Sequence, residues 1–419
     1  MLIHSASQLL TLDGGPQRGS HLGSLNIIPN GAVLIREEKI VDIGTSNEML
    51  LKYSKEQPLD ANQNVVLPGF IDPHTHLVWA GDRAEEFEMR LQGKSYLDIM
   101  AAGGGIQSTV KATRAADFDT LIYQTEKRAL NMFFHGTTTA EAKSGYGLDI
   151  KTELKQMDVA FTLNEKIPMD IFPTFLGAHA IPSEYQFNPD EYVRIICKKM
   201  LPSVKDFSLR ISPNRILPFV DVFCEKGAFS LLQSRIILER AKALGFPIKI
   251  HADEFENLGG VSLAVELGAI SADHLVKTSR VDISALGEST TVAVSLPCTP
   301  FGLGESEYSP AKNMIAANCL FALASDLNPG TAWCGNMQFV MALACRFMGL
   351  TPAQAIAAST INSAAAIGQQ NKIGSIEIGK QADLIILSVA DYRQLAYQFG
   401  INLVETIIKK GKVYKKQSL

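Results

Sequence analysis

The middle of the chain repeats one pattern, in which a short apolar run ends in polar residues and a segment of helical periodicity follows. Eight such runs occur, at 65–76, 137–143, 171–179, 219–225, 248–253, 270–274, 292–297 and 321–326. Helical spacing of apolar residues separates several of them, at 121–134, 231–244 and 351–367. Alternating strands and helices predict a parallel sheet, and eight repeats favour an α/β fold of the (β/α)8 TIM-barrel type. A doubly wound open sheet is the competing architecture.

The residues at the ends of these runs favour the barrel. Seven of the runs end in a side chain suited to binding or catalysis: His76, Lys143, His179, Glu225, Asp253, His274 and Asp326. The carboxyl ends of barrel strands meet at one mouth, whereas an open sheet spreads them along a crevice. We therefore expect these side chains to lie near one another.

Both ends of the chain have the pattern of short strands separated by turns. The candidate strands lie at 31–35, 39–44, 374–379, 382–387, 404–408 and 411–414. The simplest interpretation is a small β-sandwich domain built from residues 1–67 and 367–419. The barrel, residues 68–366, is then inserted between its two parts.

Composition and charge exclude several classes of protein. Among 419 residues, 39 Lys and Arg stand against 43 Asp and Glu, so the net charge of -4 offers no basic surface for nucleic acid. No stretch of about 18 consecutive apolar residues predicts a membrane span. The first ten residues lack the basic start of a secretory signal, and the six cysteines show no CxxC pairing. These features favour a cytoplasmic protein with reduced thiols.

Histidines at the predicted strand ends suggest a metal site. His74 and His76 close the stretch Pro-Gly-Phe-Ile-Asp-Pro-His-Thr-His at 68–76. Side chains alternate along a strand, so both imidazoles point to one face and can hold a single zinc or iron ion. A pair of polar histidines at a strand end is the alternative, because a bare HxH is common. Three more histidines share this placement and strengthen the metal interpretation: His179, His251 and His274.

Three further residues have both a functional and a structural interpretation, and the pattern leaves both open. Asp326 can complete a metal site or move protons, but it can also begin an Asx turn. Arg83 can clamp a carboxylate bidentately or form a surface ion pair with Glu85 or Glu86. Glycines flank Tyr146, which allows its ring to reach inward or simply marks a turn.

Together these motifs resemble the amidohydrolase superfamily of metal-dependent hydrolases. The stretch at 68–76 is similar to the superfamily's first-strand signature, and Ala-Asp-Leu-Ile-Ile-Leu at 382–387 looks like its return to the β domain. A finer resemblance is to the imidazolonepropionase family. It is carried by Glu-Ala-Lys-Ser-Gly-Tyr-Gly-Leu at 141–148, Thr-Phe-Leu-Gly-Ala-His at 174–179, His-Ala-Asp-Glu-Phe at 251–255 and Asp-Leu-Asn-Pro-Gly-Thr at 326–331. The motifs follow in the right order over essentially the whole chain.

The resemblance implies an enzyme that hydrolyses the small molecule 4-imidazolone-5-propanoate to N-formimidoyl-L-glutamate, and it suggests a homodimer. It implies one Zn2+ or Fe3+ per subunit, held by His74, His76, His251 and Asp326. It implies substrate contacts from Arg83, Tyr146, His179, Glu254, Asn328, Gly330 and Thr331, and catalytic roles for Asp326, His274 and Glu254. A single ion is expected because the run at 219–225 lacks the lysine that bridges two metals in many binuclear members. The choice between zinc and iron stays open, since three histidines and an aspartate suit both.

The implied chemistry begins with a metal-bound hydroxide, because a bound ion lowers the pKa of its water to about 7. This hydroxide would attack the ring carbonyl, and Asp326 would carry the proton of the water to the leaving nitrogen. His274 would orient the water, Glu254 would hold a ring N–H, and Arg83 would pair with the propanoate.

Two alternatives remain at this point. One is another amidohydrolase acting on a cyclic amide or amidine, such as a cytosine- or guanine-type deaminase. Arg83 argues against it, because a neutral base needs no carboxylate clamp. The other is a non-catalytic scaffold, but such relatives usually lose metal ligands, and here all four positions are filled.

Overall fold

Two sheets organise the chain in the computed structural model, which describes residues 1–94, 103–211 and 217–415. The first sheet draws its strands from the two ends of the chain. They are β1 (Leu2–Leu10), β2 (Ile27–Arg36), β3 (Lys39–Thr45), β4 (Pro58–Asp60), β5 (Val66–Pro68), β14 (Leu384–Leu387), β15 (Val404–Lys409) and β16 (Lys412–Lys415). Antiparallel pairing of β14 with β5 joins the two ends. A separate β domain built from both termini was predicted, and it is confirmed.

The second sheet is a barrel of parallel strands in chain order. They are β6 (Phe70–Asp72), β7 (Thr137–Lys143), β8 (Asp170–Ala178), β9 (Phe219–Cys224), β10 (Lys249–Ala252), β11 (Ser271–His274), β12 (Val292–Ser295) and β13 (Leu320–Leu323). Each falls within or overlaps one of the eight predicted runs. Beyond the ends of β6 and β13, Asp326 N donates to His74 O (3.1 Å) and His76 N donates to Leu327 O (2.9 Å). These two bonds close the barrel at its carboxyl-end mouth, which confirms the TIM-barrel prediction over the open sheet.

Helices surround the barrel and border the terminal sheet. They are α1 (Ser46–Lys52), α2 (Ala84–Leu91), α3 (Ile106–Ala115), α4 (Phe118–Phe134), α5 (Ile150–Lys166), α6 (Pro189–Ile195), α7 (Leu201–Ile211), α8 (Leu231–Ala243), α9 (Gly260–Leu267), α10 (Arg280–Glu288), α11 (Cys298–Leu303), α12 (Ala311–Ala316), α13 (Met337–Phe347), α14 (Pro352–Ala358), α15 (Ile361–Ala366) and α16 (Gln394–Tyr397). Within the described ranges, no helix is both long and apolar enough to cross a membrane.

Local capping explains where the predicted helices begin. Asp117 accepts a hydrogen bond from Thr120 N ahead of α4, and Ser230 forms a capping box with Gln233 ahead of α8. The predicted helical segment at 351–367 is two short helices, α14 and α15, separated at Ser359 and Thr360. Apolar faces of the barrel helices and strands form one large core, and the terminal sheet has a smaller core of its own.

One predicted strand is wrong. Residues 374–379 form turns, because Gly374 (φ +92°) and Gly379 (φ +89°) adopt left-handed conformations that interrupt an extended run. Ile376 is nevertheless buried, and its N–H donates to Thr11 O (2.8 Å). The apolar spacing that suggested a strand therefore reflects packing against the terminal sheet rather than strand pairing.

Candidate active site and metal centre

Three histidines and one aspartate converge at the barrel mouth. His74 and His76 follow β6, His251 lies in β10, and Asp326 follows β13. Asp326 Oδ1 lies 3.4 Å from the Nε2 atoms of both His74 and His76. The Nε2 atoms of His76 and His251 are also 3.4 Å apart. One point among these four side chains is thus within reach of a nitrogen or oxygen from each.

The donor set fits a metal ion. His74 Nε2 and Asp326 Oδ1 are buried and make no hydrogen bond to any residue that the structure describes, which is costly in a protein interior. The potential ligand atoms of His74, His76 and Asp326 lie within 4.8 Å of one another. Imidazole nitrogens with a carboxylate oxygen are ligands that zinc and iron accept. A cation at this point would satisfy the unpaired atoms.

Two buried carboxylates, which the sequence patterns did not single out, stand behind the histidines. Asp273 Oδ2 lies 2.6 Å from His74 Nδ1, and Asp221 Oδ2 lies 2.9 Å from His251 Nδ1. A carboxylate on Nδ1 fixes the tautomer of the ring and turns Nε2 toward a metal. The available signal was a charged residue inside the apolar strand Phe-Val-Asp-Val-Phe at 219–223.

Buried lysines balance these carboxylates. Lys143 Nζ donates to Glu141 Oε1 (2.7 Å) and to Asp221 Oδ2 (2.8 Å), and Lys249 Nζ donates to Pro73 O (2.7 Å). Burial alone would lower the pKa of Lys143, but the charges of Asp221 and Glu141 outweigh it and raise the pKa above its usual value. Lys143 thus carries its positive charge inside the barrel. It lies near the other run-end side chains, as the pattern predicted, but behind the histidines rather than in the cavity wall.

Burial keeps several imidazoles neutral. It lowers the pKa of His76 to about 4 and the pKa values of His179 and His274 well below the usual range. A neutral ring is the form that binds a metal or accepts a hydrogen bond from substrate. Burial, together with the charge of Asp326, also raises the pKa of the Glu254 carboxyl well above its usual range. Burial and this charge therefore favour the protonated form of Glu254, which can donate a hydrogen bond.

A cavity opens beside these groups. Its walls include nearly all the residues that the sequence singled out for substrate or metal: His76, Arg83, Tyr146, His179, His251, Glu254, His274, Asp326, Asn328 and Thr331. His74 lies fully buried against the others, and Gly330 contacts the cavity wall through Arg83. A Cβ at position 330 would come within 2.2 Å of Arg83 Nη1, so a side chain there would displace the guanidinium.

The region around Arg83 combines both interpretations offered by the sequence. Arg83 Nε donates to Glu86 Oε2 (2.8 Å), and the guanidinium also lines the cavity. Glu86 is largely buried and accepts a further bond from Gly105 N (2.9 Å) through Oε1. The ion pair with Glu86 therefore holds Arg83 in place at the cavity and is not a surface ion pair.

Asp326 is a site residue rather than a turn former. Its Oδ2 accepts hydrogen bonds from Thr299 Oγ1 (2.5 Å) and Asn328 Nδ2 (3.0 Å), which leaves Oδ1 for the histidine cluster. Asn328 Oδ1 in turn accepts from the N–H groups of Gly330 and Thr331 (both 2.8 Å). The loop after β13 is thus shaped by Asn328. Asp326 itself has φ +57°, an uncommon backbone conformation for a non-glycine residue.

The loop after β7 brings Tyr146 into the cavity. The Glu153 carboxylate accepts three backbone N–H groups of this loop, those of Gly145, Gly147 and Leu148, at 2.8–3.0 Å. This anchoring selects the inward interpretation of Tyr146, whose side chain is buried. His179 lies beside Tyr146, with ring centroids 5.2 Å apart, and stacks on His76, with ring centroids 4.7 Å apart.

Comparison with known proteins agrees with this geometry. Residues 65–414 match the Amidohydrolase family. Over its full length the chain is 49% identical to the imidazolonepropionase of Herpetosiphon aurantiacus, covering 98% of that protein. It is 45% identical to the imidazolonepropionase of Symbiobacterium thermophilum over 99% of this chain and 96% of that one. The chain belongs to the amidohydrolase family, among the imidazolonepropionases.

Solved structures show the same fold in more distant amidohydrolases. An atrazine chlorohydrolase from Arthrobacter aurescens, complexed with zinc, superposes with a TM-score of 0.71 over 98% of this chain and 94% of the other, at 14% identity. At that identity the likeness speaks for the fold alone. The present chain is a metal-dependent hydrolase by its own family. Its barrel and terminal sheet are shared with more distant relatives.

Proposed function

We propose that the chain hydrolyses the ring C–N bond of 4-imidazolone-5-propanoate to give N-formimidoyl-L-glutamate. The observation that carries the proposal is that one cavity contains Arg83 together with the histidine and aspartate cluster. A guanidinium suits a carboxylate, and the cluster suits a metal that activates water. The two full-length relatives named above carry the name of this activity.

Under this proposal His74, His76, His251 and Asp326 hold one zinc or ferric ion per subunit. When bound, the ion supplies an acidified water and polarises the carbonyl of the substrate. Asp273 and Asp221 hold two of these histidines in the correct tautomer from behind. The remaining steps fall to side chains of the cavity.

Asp326 takes a proton from the attacking water and delivers it to the ring nitrogen that leaves as the C–N bond breaks. Thr299 and Asn328 hold its Oδ2, so the carboxylate keeps one orientation through the transfer. His274, 3.6 Å from Glu254 through Nδ1, faces the oxygen that develops charge. His274 ends β11 with φ +83°, a backbone conformation that is uncommon for a non-glycine residue.

Substrate orientation is assigned to the rest of the cavity. Arg83 pairs with the propanoate, with Asn328, Gly330 and Thr331 forming the wall beside it. Glu254 hydrogen-bonds a ring nitrogen. Tyr146 and His179, from the neighbouring loops after β7 and β8, contact the ring on one side. Binding the carboxylate away from the reacting bond orients the carbonyl at the metal centre.

The decisive experiment is turnover of freshly prepared 4-imidazolone-5-propanoate by metal-loaded protein, followed as loss of ultraviolet absorbance. We expect rapid loss, formimidoylglutamate as product, and inhibition by a chelator. Tight metal binding without turnover would reject this substrate and favour another cyclic amide or amidine. A cytoplasmic homodimer completes the proposal, and sedimentation of the purified protein tests its assembly.

A further inference from the structure

A layer of charged side chains lies buried behind the proposed metal ligands. Its members are Glu141 and Lys143 of β7, Asp221 of β9, Lys249 of β10 and Asp273 of β11. Each of these side chains is 0% exposed. Burying charges is costly unless each is paired, so a layer of five calls for a function. The proposed reaction uses none of the five directly.

Lys143 is the member that connects the layer to the ligands. Its Nζ lies 2.8 Å from Asp221 Oδ2, the same oxygen that faces His251 Nδ1. It lies 3.9 Å from Asp273 Oδ2, the oxygen that faces His74 Nδ1. One carboxylate oxygen of Asp221 thus lies between the Lys143 ammonium and His251, and one of Asp273 lies between it and His74.

A third connection runs through the backbone between the first two ligands. Lys143 Nζ donates to Glu141 Oε1 (2.7 Å), and Glu141 Oε2 accepts from Thr75 N (3.1 Å). Thr75 lies between His74 and His76, so Glu141 anchors the backbone that carries both. All three of these carboxylates therefore meet at the one ammonium.

We propose that Lys143 is a positioning residue of the metal centre. Three carboxylates around one point repel one another unless a cation lies between them. With Lys143 in place, Asp221 and Asp273 hold the Nδ1 side of their histidines, and both Nε2 atoms face the metal. Without it, Lys249 still lies 3.9 Å from Asp273 and 4.0 Å from Glu141, but the carboxylate of Asp221 loses its ammonium partner and turns, and His251 and His74 lose their common aim. This inference rests on the proposed function, since it takes His74 and His251 as metal ligands.

Lys409 offers a matched control. Its Nζ bonds Asp170 Oδ2 and Asp383 Oδ2, both at 2.7 Å, and its side chain is 1% exposed. It lies in β15 of the terminal sheet, away from the histidine cluster. Lys409→Met therefore removes a buried lysine that is paired with two carboxylates. It leaves the residues behind the proposed metal ligands unchanged.

The test compares native protein, Lys143→Met and Lys409→Met as full-length chains. Zinc affinity is measured by competition with a chromophoric chelator, and ligand geometry by the visible spectrum of the cobalt-loaded protein. Loss of a residue behind a metal ligand weakens metal binding by about 10- to 100-fold. We expect that loss, and a shifted cobalt spectrum, in Lys143→Met alone. Both variants should unfold at lower temperature than the native protein.

Native zinc affinity and a native cobalt spectrum in Lys143→Met would overturn the proposal. If that variant does not fold, Lys143→Gln keeps N–H donors, removes the charge and is measured in the same way. Weakened zinc binding supports the role of the charge, and native binding rejects it. A native protein that binds no zinc or cobalt would overturn the metal centre itself, which separates that failure from a failure of Lys143.

Discussion

The Nε2 atoms of His76 and His251 face each other at 3.4 Å in the barrel mouth. Burial lowers the pKa of both rings, so both are neutral near pH 7. Asp221 on the Nδ1 side of His251 leaves Nε2 of that ring as an acceptor. With Asp326 Oδ1 3.4 Å from His76 Nε2, electron-pair donors converge on one point. A cation is the natural partner for such an arrangement.

Metal removal should therefore inactivate the enzyme and destabilise the fold. A ligand that binds only the native state stabilises it by about 4 kcal/mol at a thousand times its dissociation constant. We expect chelated protein to lose turnover and to unfold at a lower temperature, and added zinc or iron to restore both. Elemental analysis beside calorimetry checks this. Full turnover by protein shown to be metal-free would contradict it.

Arg83→Ala should raise KM for 4-imidazolone-5-propanoate by about 10- to 100-fold, the value of a charge-assisted hydrogen bond. The value of kcat should change little, because Arg83 binds away from the reacting bond. The control is 4-imidazolone without the propanoate, on which the variant and the native enzyme should perform alike. An unchanged KM would remove the carboxylate assignment.

Asp326→Ala should abolish turnover and weaken metal binding together, since the side chain is proposed to serve both. The loss in kcat should be at least about 10²-fold, as for general acid–base residues. Thr299→Val is the matched variant, because Thr299 Oγ1 holds the other carboxylate oxygen, Oδ2. It should keep its metal and lose about tenfold in kcat, the value of one hydrogen bond to a charged group. Near-normal activity in Asp326→Ala would refute the double role.

Much of the fold could be predicted because each barrel strand has the same sequence signature. The run at 292–297 contains β12, and the run at 137–143 coincides with β7. The first two proposed ligands were suggested in the same way, since His74 and His76 are two residues apart in an extended stretch, and their role as ligands stays a prediction. Local spacing was sufficient for these features.

The residues behind the proposed ligands could not be predicted from the sequence, for a physical reason. Asp273 faces His74, 199 residues earlier in the chain, and nothing local to either residue indicates the pairing. Lys143 was visible as a charged strand end, but its role depends on carboxylates from β9 and β11. Such roles follow from which side chains of non-adjacent strands meet inside the barrel, and a single sequence does not contain that arrangement. The predicted strand that begins at Gly374 was the opposite error. Its apolar side chain packs against the terminal sheet without strand pairing.

Asp170 supports a prediction about pH. It links the start of β8 to Lys409 and Lys410 of the terminal domain, at 2.7 Å from each. Burial would raise the pKa of its carboxyl, but the charges of both lysines outweigh burial and lower the pKa to about 2. Because this lies below the unfolded value of about 3.9, the ion pair stabilises the fold above about pH 4. That stabilisation is lost as the pH falls through about 2.

Asp170→Asn should therefore lower the free energy of unfolding at neutral pH by about 2–3 kcal/mol. The deficit should shrink in acid. There the Asp170 carboxyl of the native sequence is largely protonated in the unfolded chain, so the ion pair contributes less to stability. Urea titrations at neutral pH and near pH 3 provide the comparison, with kcat and KM as controls that should stay native. A deficit of equal size at both pH values would exclude the ion pair as its cause.

The hydrogen bonds that close the barrel join the same segments that are proposed to hold the metal. His74 and His76 lie on one side of this seam and Asp326 on the other, and Ser325 N reaches Asp72 across 253 residues of chain. During synthesis the first two proposed ligands, His74 and His76, leave the ribosome before nearly all of the barrel has been made. A nascent chain that ends before β13 carries three of the four ligands but has no seam. The complete set of four proposed ligands therefore comes together only when the barrel has closed.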